Sequence, residues 1–168
     1  MQPPILPAPR PPLIELPFGL PGRIFRSPMP FRPGDEGGQL FRQYQTQRVA
    51  VAVMLVEDIE CLIRTGRNLR TFYASNGLDV IHLPISDFNV PPLGALSQAV
   101  DTALARARAG QNLAVHCYAG LGRTGMFLAC MARRALGKNA DEAVAWVRSY
   151  VPNSVESPEQ VAMVRMFV

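Results

Sequence analysis

Two residues in the stretch 113–134 can do chemistry together: Cys117 and Arg123, with five residues between them. Leu113 to His116 read as the end of a buried strand. From Arg123 onward Met126, Phe127, Cys130, Met131 and Arg134 recur at three- and four-residue spacings, which marks a helix. A strand therefore feeds a short glycine-rich loop, and the loop opens a helix at its N-terminus. Backbone N–H groups at a helix start have no partner within the helix, and the helix dipole favours negative charge there. A thiol facing those donors is favoured as thiolate, the nucleophilic form. The planar fork of Arg123 can hold two oxygens of one tetrahedral anion. Tyr118, Ala119, Gly120, Leu121, Gly122 and Arg123 then form a candidate phosphate-binding loop. Gly120 and Gly122 supply the positive φ or close approach that such a nest needs. Three neighbours fit supporting roles: the Thr124 hydroxyl can bond the cysteine sulfur, Gly125 lets the helix start close beneath the loop, and the His116 ring can fix loop carbonyls.

The run His116-Cys117-(five residues)-Arg123-Thr124-Gly125 resembles the signature of the cysteine-dependent protein tyrosine phosphatase superfamily, and its inner glycines resemble the small dual-specificity branch. The resemblance extends from about Gly22 to the C-terminus. It implies hydrolysis of phosphotyrosine, with or without phosphoserine and phosphothreonine, through a cysteinyl-phosphate and with no cofactor or metal. The implied partner is a phosphorylated protein or a small phosphoester. Other readings compete. Gly120-Leu-Gly122-Arg-Thr-Gly125 also fits a dinucleotide fingerprint, but that needs a second parallel strand with an acidic end, and the chain after Ala140 reads helical. A nucleotide P-loop needs a Gly-Lys-Ser/Thr that is missing here. A buried core cysteine beside a turn explains Cys117 but not an arginine at that spacing. Among functions, an RNA 5′-triphosphatase with a similar loop and a silent phosphate-binding adaptor remain the alternatives, although no interleaving of aromatic and basic residues marks a nucleic-acid groove.

A cysteinyl-phosphate mechanism needs an acid for the leaving oxygen and a base for the water that follows. Asp87, in His82-Leu-Pro-Ile-Ser-Asp87-Phe-Asn-Val-Pro-Pro92, lies on a loop after a strand and before prolines. It matches the general-acid loop of dual-specificity phosphatases, with Ser86 where many relatives carry proline. Asp79 and Asp101 are the fallback carboxylates. In Pro152-Asn153-Ser-Val-Glu-Ser-Pro-Glu-Gln160, the resemblance implies that Asn153 ties down loop backbone and Gln160 orients the hydrolytic water; turn and cap chemistry explains both equally. Glu57 is the carboxylate expected to support Arg123.

These residues need a scaffold. Strands are expected over 22–27, 49–56, 78–83 and into Cys117. Helices are expected over 35–47, 57–74 with a break near Gly66, 92–109, from Arg123, from Asn139 with a capping box to Glu142, and after Ser157-Pro158. Alternating strands and helices imply an α/β domain, protein-tyrosine-phosphatase-like, with a largely parallel central sheet flanked by helices. The expected organisation is a proline-rich arm over 1–21 and a catalytic domain over 22–168. The arm is either a surface strap or a ligand for an SH3-like partner. The chain has 168 residues, a net charge of +4 and a single lysine, Lys138. Its arginines are scattered, as on solvated helix faces. Three cysteines at irregular spacing make neither a disulfide framework nor a metal site, which places the protein in a reducing cytoplasm. No signal peptide and no apolar run of membrane-spanning length are read.

Overall fold

The computed structural model describes residues 11–168. In chain order it contains β1 (Ile14–Leu16), β2 (Ile24–Ser27), α1 (Gln39–Thr46), β3 (Val49–Met54), α2 (Asp58–Thr65), α3 (Leu69–Ser75), β4 (Asp79–His82), α4 (Leu93–Arg108), β5 (Asn112–His116), α5 (Gly122–Leu136), α6 (Ala140–Tyr150) and α7 (Pro158–Met166). The sheet order is β1-β2-β5-β3-β4. Only the β1–β2 pair is antiparallel. The expected α/β class with a mostly parallel sheet is therefore what forms.

The two central strands are apolar runs because helices cover both faces of a parallel sheet. β3 (Val-Ala-Val-Ala-Val-Met) and β5 are buried along nearly their whole length. The long helix α5 is buried from Gly122 to Ala132, enclosed by α4, α6 and α7. A helix buried on every side is apolar all round, and α5 carries Met126, Phe127, Leu128, Ala129, Cys130, Met131 and Ala132 in unbroken sequence.

Register explains why the loops meet. Ser27, His116, Met54 and His82 are partners in one row across β2, β5, β3 and β4. All four strands run parallel, so the chain leaves the sheet at one level at the carboxyl ends of four neighbouring strands, where open α/β sheets place their ligands. The loop after β5 carries Cys117, that after β3 carries Glu57 and leads to Glu60, and that after β4 carries Asp87.

The helix starts follow the sequence signals. Asn139 caps α6 and Ser157 caps α7, each in a reciprocal capping box, with Glu142 and Gln160 respectively. Of the stretch 1–21, residues 1–10 lie outside the described residues, and with them Pro3, Pro4, Pro7 and Pro9 of the SH3-type reading. The remainder lies on the domain: β1 pairs with β2 along the sheet edge, and Leu16 and Phe18 are buried. Prolines flank β1 rather than interrupt it, which an edge strand tolerates. Phe18 packs edge-on to Trp146 of α6, ring centroids 5.0 Å apart.

Candidate active site

The loop from Cys117 to Leu121 is shaped by where its carbonyl groups go. The Cys117 oxygen accepts from His116 Nδ1 at 2.9 Å. The Tyr118 oxygen accepts from the Met29 amide at 2.9 Å. The Ala119 and Gly120 oxygens accept from Arg26 Nη2 and Nε, both at 2.7 Å. The Leu121 oxygen accepts from the amides of Gly125 at 2.9 Å and Val155 at 3.2 Å. Every carbonyl of the loop is thus pulled outward by a partner. A peptide plane that turns its C=O out turns its N–H in, and the amides from Tyr118 to Arg123 donate to no acceptor among the described residues. The result is a ring of inward donors at the start of α5, with Cys117 buried at its base.

Gly120 is required by this geometry. Its φ is +72°, and a Cβ there would stand 2.5 Å from the Ser27 oxygen and 2.8 Å from Arg26 Nε. Gly125 is also crowded: a Cβ there would lie 2.7 Å from both Ser154 Cβ and the Val155 nitrogen.

His116 is fully buried. The Cys117 carbonyl can only accept, so Nδ1 carries the proton, and Nε2 then accepts from the Tyr73 hydroxyl at 2.9 Å. Burial pushes the His116 pKa down to about 4; the bond to the Cys117 carbonyl opposes that fall and the Arg123 charge adds to it. The ring is neutral and fixed near neutral pH. Tyr73 itself stands among Phe41, Tyr44 and Phe72, so an aromatic cluster buttresses the back of the loop.

Arg123 is 1% exposed. Its Nη1 donates to Glu60 Oε2 at 2.7 Å and to the Ile85 oxygen at 2.8 Å, and its Nη2 to Glu60 Oε1 at 3.0 Å. Asp87 Oδ1 lies 3.2 Å from Nη2. The Nε is buried without a partner among the described residues, a donor left over for a ligand. Burial works against the cation, but the Glu60 bonds and the charges around it outweigh burial and raise its pKa. The carboxylate supporting Arg123 is therefore Glu60, not the expected Glu57. Glu57 stands at the N-cap position of α2 without a side-chain capping bond and accepts from the Ser86 hydroxyl at 3.1 Å. Glu60 stands three residues further, beside the buried Cys61, on the inward face of α2.

Asp87 is half-exposed at the mouth of the loop and accepts from the Phe88 amide at 3.0 Å. Phe88 is exposed, with φ +60°. Its carbonyl accepts from the Ser157 hydroxyl at 3.3 Å, which ties the Asp87 loop to the start of α7. The fallback carboxylates are engaged elsewhere: Asp79 pairs with Arg106 and Asp101 with Arg134.

The remaining candidates divide. Gln160 is fully buried. Its Oε1 accepts from the amides of Glu156 and Ser157 at 2.9 and 3.2 Å, while its Nε2 has no partner. The side chain lies against Gly122, 3.0 Å from where a Cβ would be. The loop is tied from this side by the Val155 amide, and Arg148 holds the Ser154 and Val155 carbonyls at 2.9 Å. Asn153 is exposed with φ +64° and makes no side-chain hydrogen bond among the described residues; it serves the turn. The Thr124 hydroxyl is buried without a partner among the described residues, so the expected bond to the cysteine sulfur is not formed. Among the described residues no group of three or more His, Cys, Asp or Glu converges as a metal site would.

Arg26 went unnoticed in the sequence. It sits on the four-residue β2, and nothing in its neighbours marks it. Its third bond, from Nη1 to the Pro12 oxygen at 3.0 Å, ties residue 12 to the loop. Burial lowers its pKa, while the nearby Cys117 acts to raise it. Arg26→Gln is expected to weaken inhibition by inorganic phosphate about tenfold, since two charge-assisted bonds that turn the amides inward are lost. An unchanged inhibition constant would show that the loop keeps its shape without them.

The family model described as "Polymorphic toxin system, DSP-PTPase phosphatase" matches residues 37–135. The chain is 40% identical over 81 residues to mouse (Mus musculus) protein tyrosine phosphatase domain-containing protein 1, a match covering 48% of this chain and 11% of that relative. It is 46% identical over 52 residues to the human (Homo sapiens) dual specificity protein phosphatase CDC14C, covering 31% of this chain and 12% of the relative. The matched stretches thus span about a tenth of the relatives' own length. Among solved structures, Tk-PTP in its active form superposes with a TM-score of 0.74 at 28% identity, covering 87% of this chain and 91% of that one.

Proposed function

Because the chain belongs to the DSP-PTPase family, the dual-specificity branch of the protein tyrosine phosphatases, we propose that it hydrolyses phosphomonoesters through a cysteinyl-phosphate formed on Cys117. The observation that carries this reading is the outward capture of all five loop carbonyls, which leaves a ring of amides and Arg123 facing the space above the Cys117 thiol.

The first step joins the Cys117 sulfur to phosphorus and breaks the bond from phosphorus to the ester oxygen. Amides and Arg123 hold the three remaining oxygens, whose charge peaks in the transition state. Phosphate oxygens compete with Asp87 for Nη2 of Arg123. The exchange frees the Asp87 carboxylate, which takes up a proton from solvent and passes it to the departing oxygen. In the second step a water attacks phosphorus, Asp87 takes its proton, and the sulfur–phosphorus bond breaks. The unpartnered Nε2 of Gln160 is the donor suited to hold that water. Phosphotyrosine is the proposed substrate, with phosphoserine and phosphothreonine admitted by a shallow mouth. The three cysteines are free and buried, which fits a reducing compartment such as the cytoplasm.

The test is a rapid quench of the native protein with an aryl phosphate in EDTA. The expected product is a Cys117-containing peptide heavier by one phosphoryl group, formed at a rate that accounts for turnover. Turnover without it would sink the covalent route. For the acid, Asp87→Asn should slow phosphotyrosine hydrolysis about 10²- to 10⁴-fold. It should slow a nitrophenyl ester much less, because that leaving group departs without a proton. Equal slowing of kcat/KM, which reads the first step alone, for both esters would remove Asp87 from the acid's role.

A further inference from the structure

Arginines without a carboxylate gather on one side of the phosphate loop. The Arg64 guanidinium lies 4.4 Å from the ring centre of Tyr118, the residue after Cys117, and that of Arg32 lies 6.0 Å from the same ring. Next to Arg32, the Phe31 ring carries Arg67 at 4.5 Å. None of the three makes an ion pair among the described residues, whereas Arg70, close by in sequence, is paired with Asp58. The carboxylates nearby are already committed. Both Asp35 oxygens accept from backbone amides, of Phe31 and Leu40, and Glu60 holds Arg123.

An aromatic face fixes a guanidinium without cancelling its charge, and leaves the N–H edge free to bind. An ion pair would do the opposite. Arg32 and Arg64 share one ring and Arg67 stands on the ring of the residue before Arg32; Arg32 also opposes the Arg26 charge, and like charges so placed favour an anion that joins them. Fixed positive charge beside a recess also focuses the field there.

We propose that Arg32, Arg64 and Arg67 form a second anion subsite that binds a further phosphate or carboxylate carried by the same phosphopeptide, next to the phosphoryl group being cleaved. The proposal rests on the reading that the loop takes that phosphoryl group. Its substrate class is a phosphopeptide with acidic or phosphorylated neighbours. The aromatic platform places the subsite against the loop itself, so the two anions belong to adjacent or nearly adjacent residues.

The experiment uses three peptides: phosphotyrosine between neutral residues, the same peptide with glutamates beside it, and the same with a second phosphorylated residue. Steady-state kinetics on the native protein should give kcat/KM about tenfold higher for the doubly anionic peptides, a preference that shrinks as salt is raised. In the triple variant Arg32→Gln, Arg64→Gln, Arg67→Gln the preference should fall to within about twofold of the neutral peptide, with hydrolysis of a small aryl phosphate unchanged. Arg64→Gln alone should remove part of it. A preference for the phosphorylated neighbour alone identifies phosphate as the second group; an equal preference for both peptides identifies any anion. Equal kcat/KM on all three peptides, or a preference that survives the triple variant, overturns the proposal. Titration of the same peptides into Cys117→Ser reads the subsite without turnover. Loss of turnover with the binding preference intact would therefore count against the hydrolase and not against the subsite.

Discussion

Cys117→Ser is expected to reduce phosphate release by about 10⁴-fold or more while the protein still binds aryl phosphate. The reasoning separates capture from attack. Capture depends on the amides of residues 118–123 and on Arg123, and the carbonyl bonds that orient those amides do not involve the sulfur. Attack depends on a soft sulfur at the base of the ring, and a serine hydroxyl in the same place is weakly nucleophilic. Binding should therefore persist, and the thermal midpoint should rise on adding phosphate in the variant as in the native chain. Turnover above about one per cent of native in carefully purified variant would mean that another group attacks phosphorus.

Arg123→Lys should act on two properties at once: kcat lower by about 10²- to 10³-fold, together with reduced stability. The native guanidinium satisfies Glu60 through two bonds and the Ile85 carbonyl through a third, and keeps Nε free. An ammonium has no fork. It can face Glu60 or the phosphate, but cannot span both with directed bonds. Glu60 is largely buried, its side chain 14% exposed, so a poorly matched cation leaves its carboxylate under-bonded at a cost of about 1–3 kcal/mol. Urea denaturation measures the second effect and steady-state kinetics the first. A variant with native kcat would show that charge alone, without bidentate geometry, serves the reaction.

The scaffold was largely legible in the residues because its signals are local. The apolar run of β3, the caps Asn139 and Ser157, and the strand–loop–helix around Cys117 each lie within a few consecutive positions. The edge strand β1 was hidden among prolines, since its pairing comes from β2 and not from its own pattern. Site residues followed the same division. Cys117, Arg123 and Asp87 are near one another because the loops after β5 and β4 leave the sheet at one level, and both loops carry a readable motif. Glu60 and Arg26 act through tertiary placement. Which of Glu57 and Glu60 faces Arg123 depends on where α2 begins, and a one-residue shift of a helix start turns a side chain by about 100°. Arg26 reaches the loop because β2 pairs with β5, a contact between residues about ninety positions apart. Thr124 shows the reverse: a motif position does not by itself form the bond its motif implies.

The outward-turned carbonyls divide labour between main chain and side chains. Phosphate would be held by amides that every residue type except proline possesses. The side chains of Tyr118, Ala119 and Leu121 are only partly buried, and the carbonyl bonds do not depend on what they are. Substitutions there can change which molecules approach while the cradle persists. Position 120 has no such latitude: at its φ of +72° a Cβ would stand 2.5 Å from the Ser27 backbone oxygen, whereas at 122 it would meet the end of the exposed Glu156 side chain, which can move aside. The loop is thus a fixed anvil with exchangeable edges, open to new selectivity by mutation at three of its positions and closed to it at Gly120.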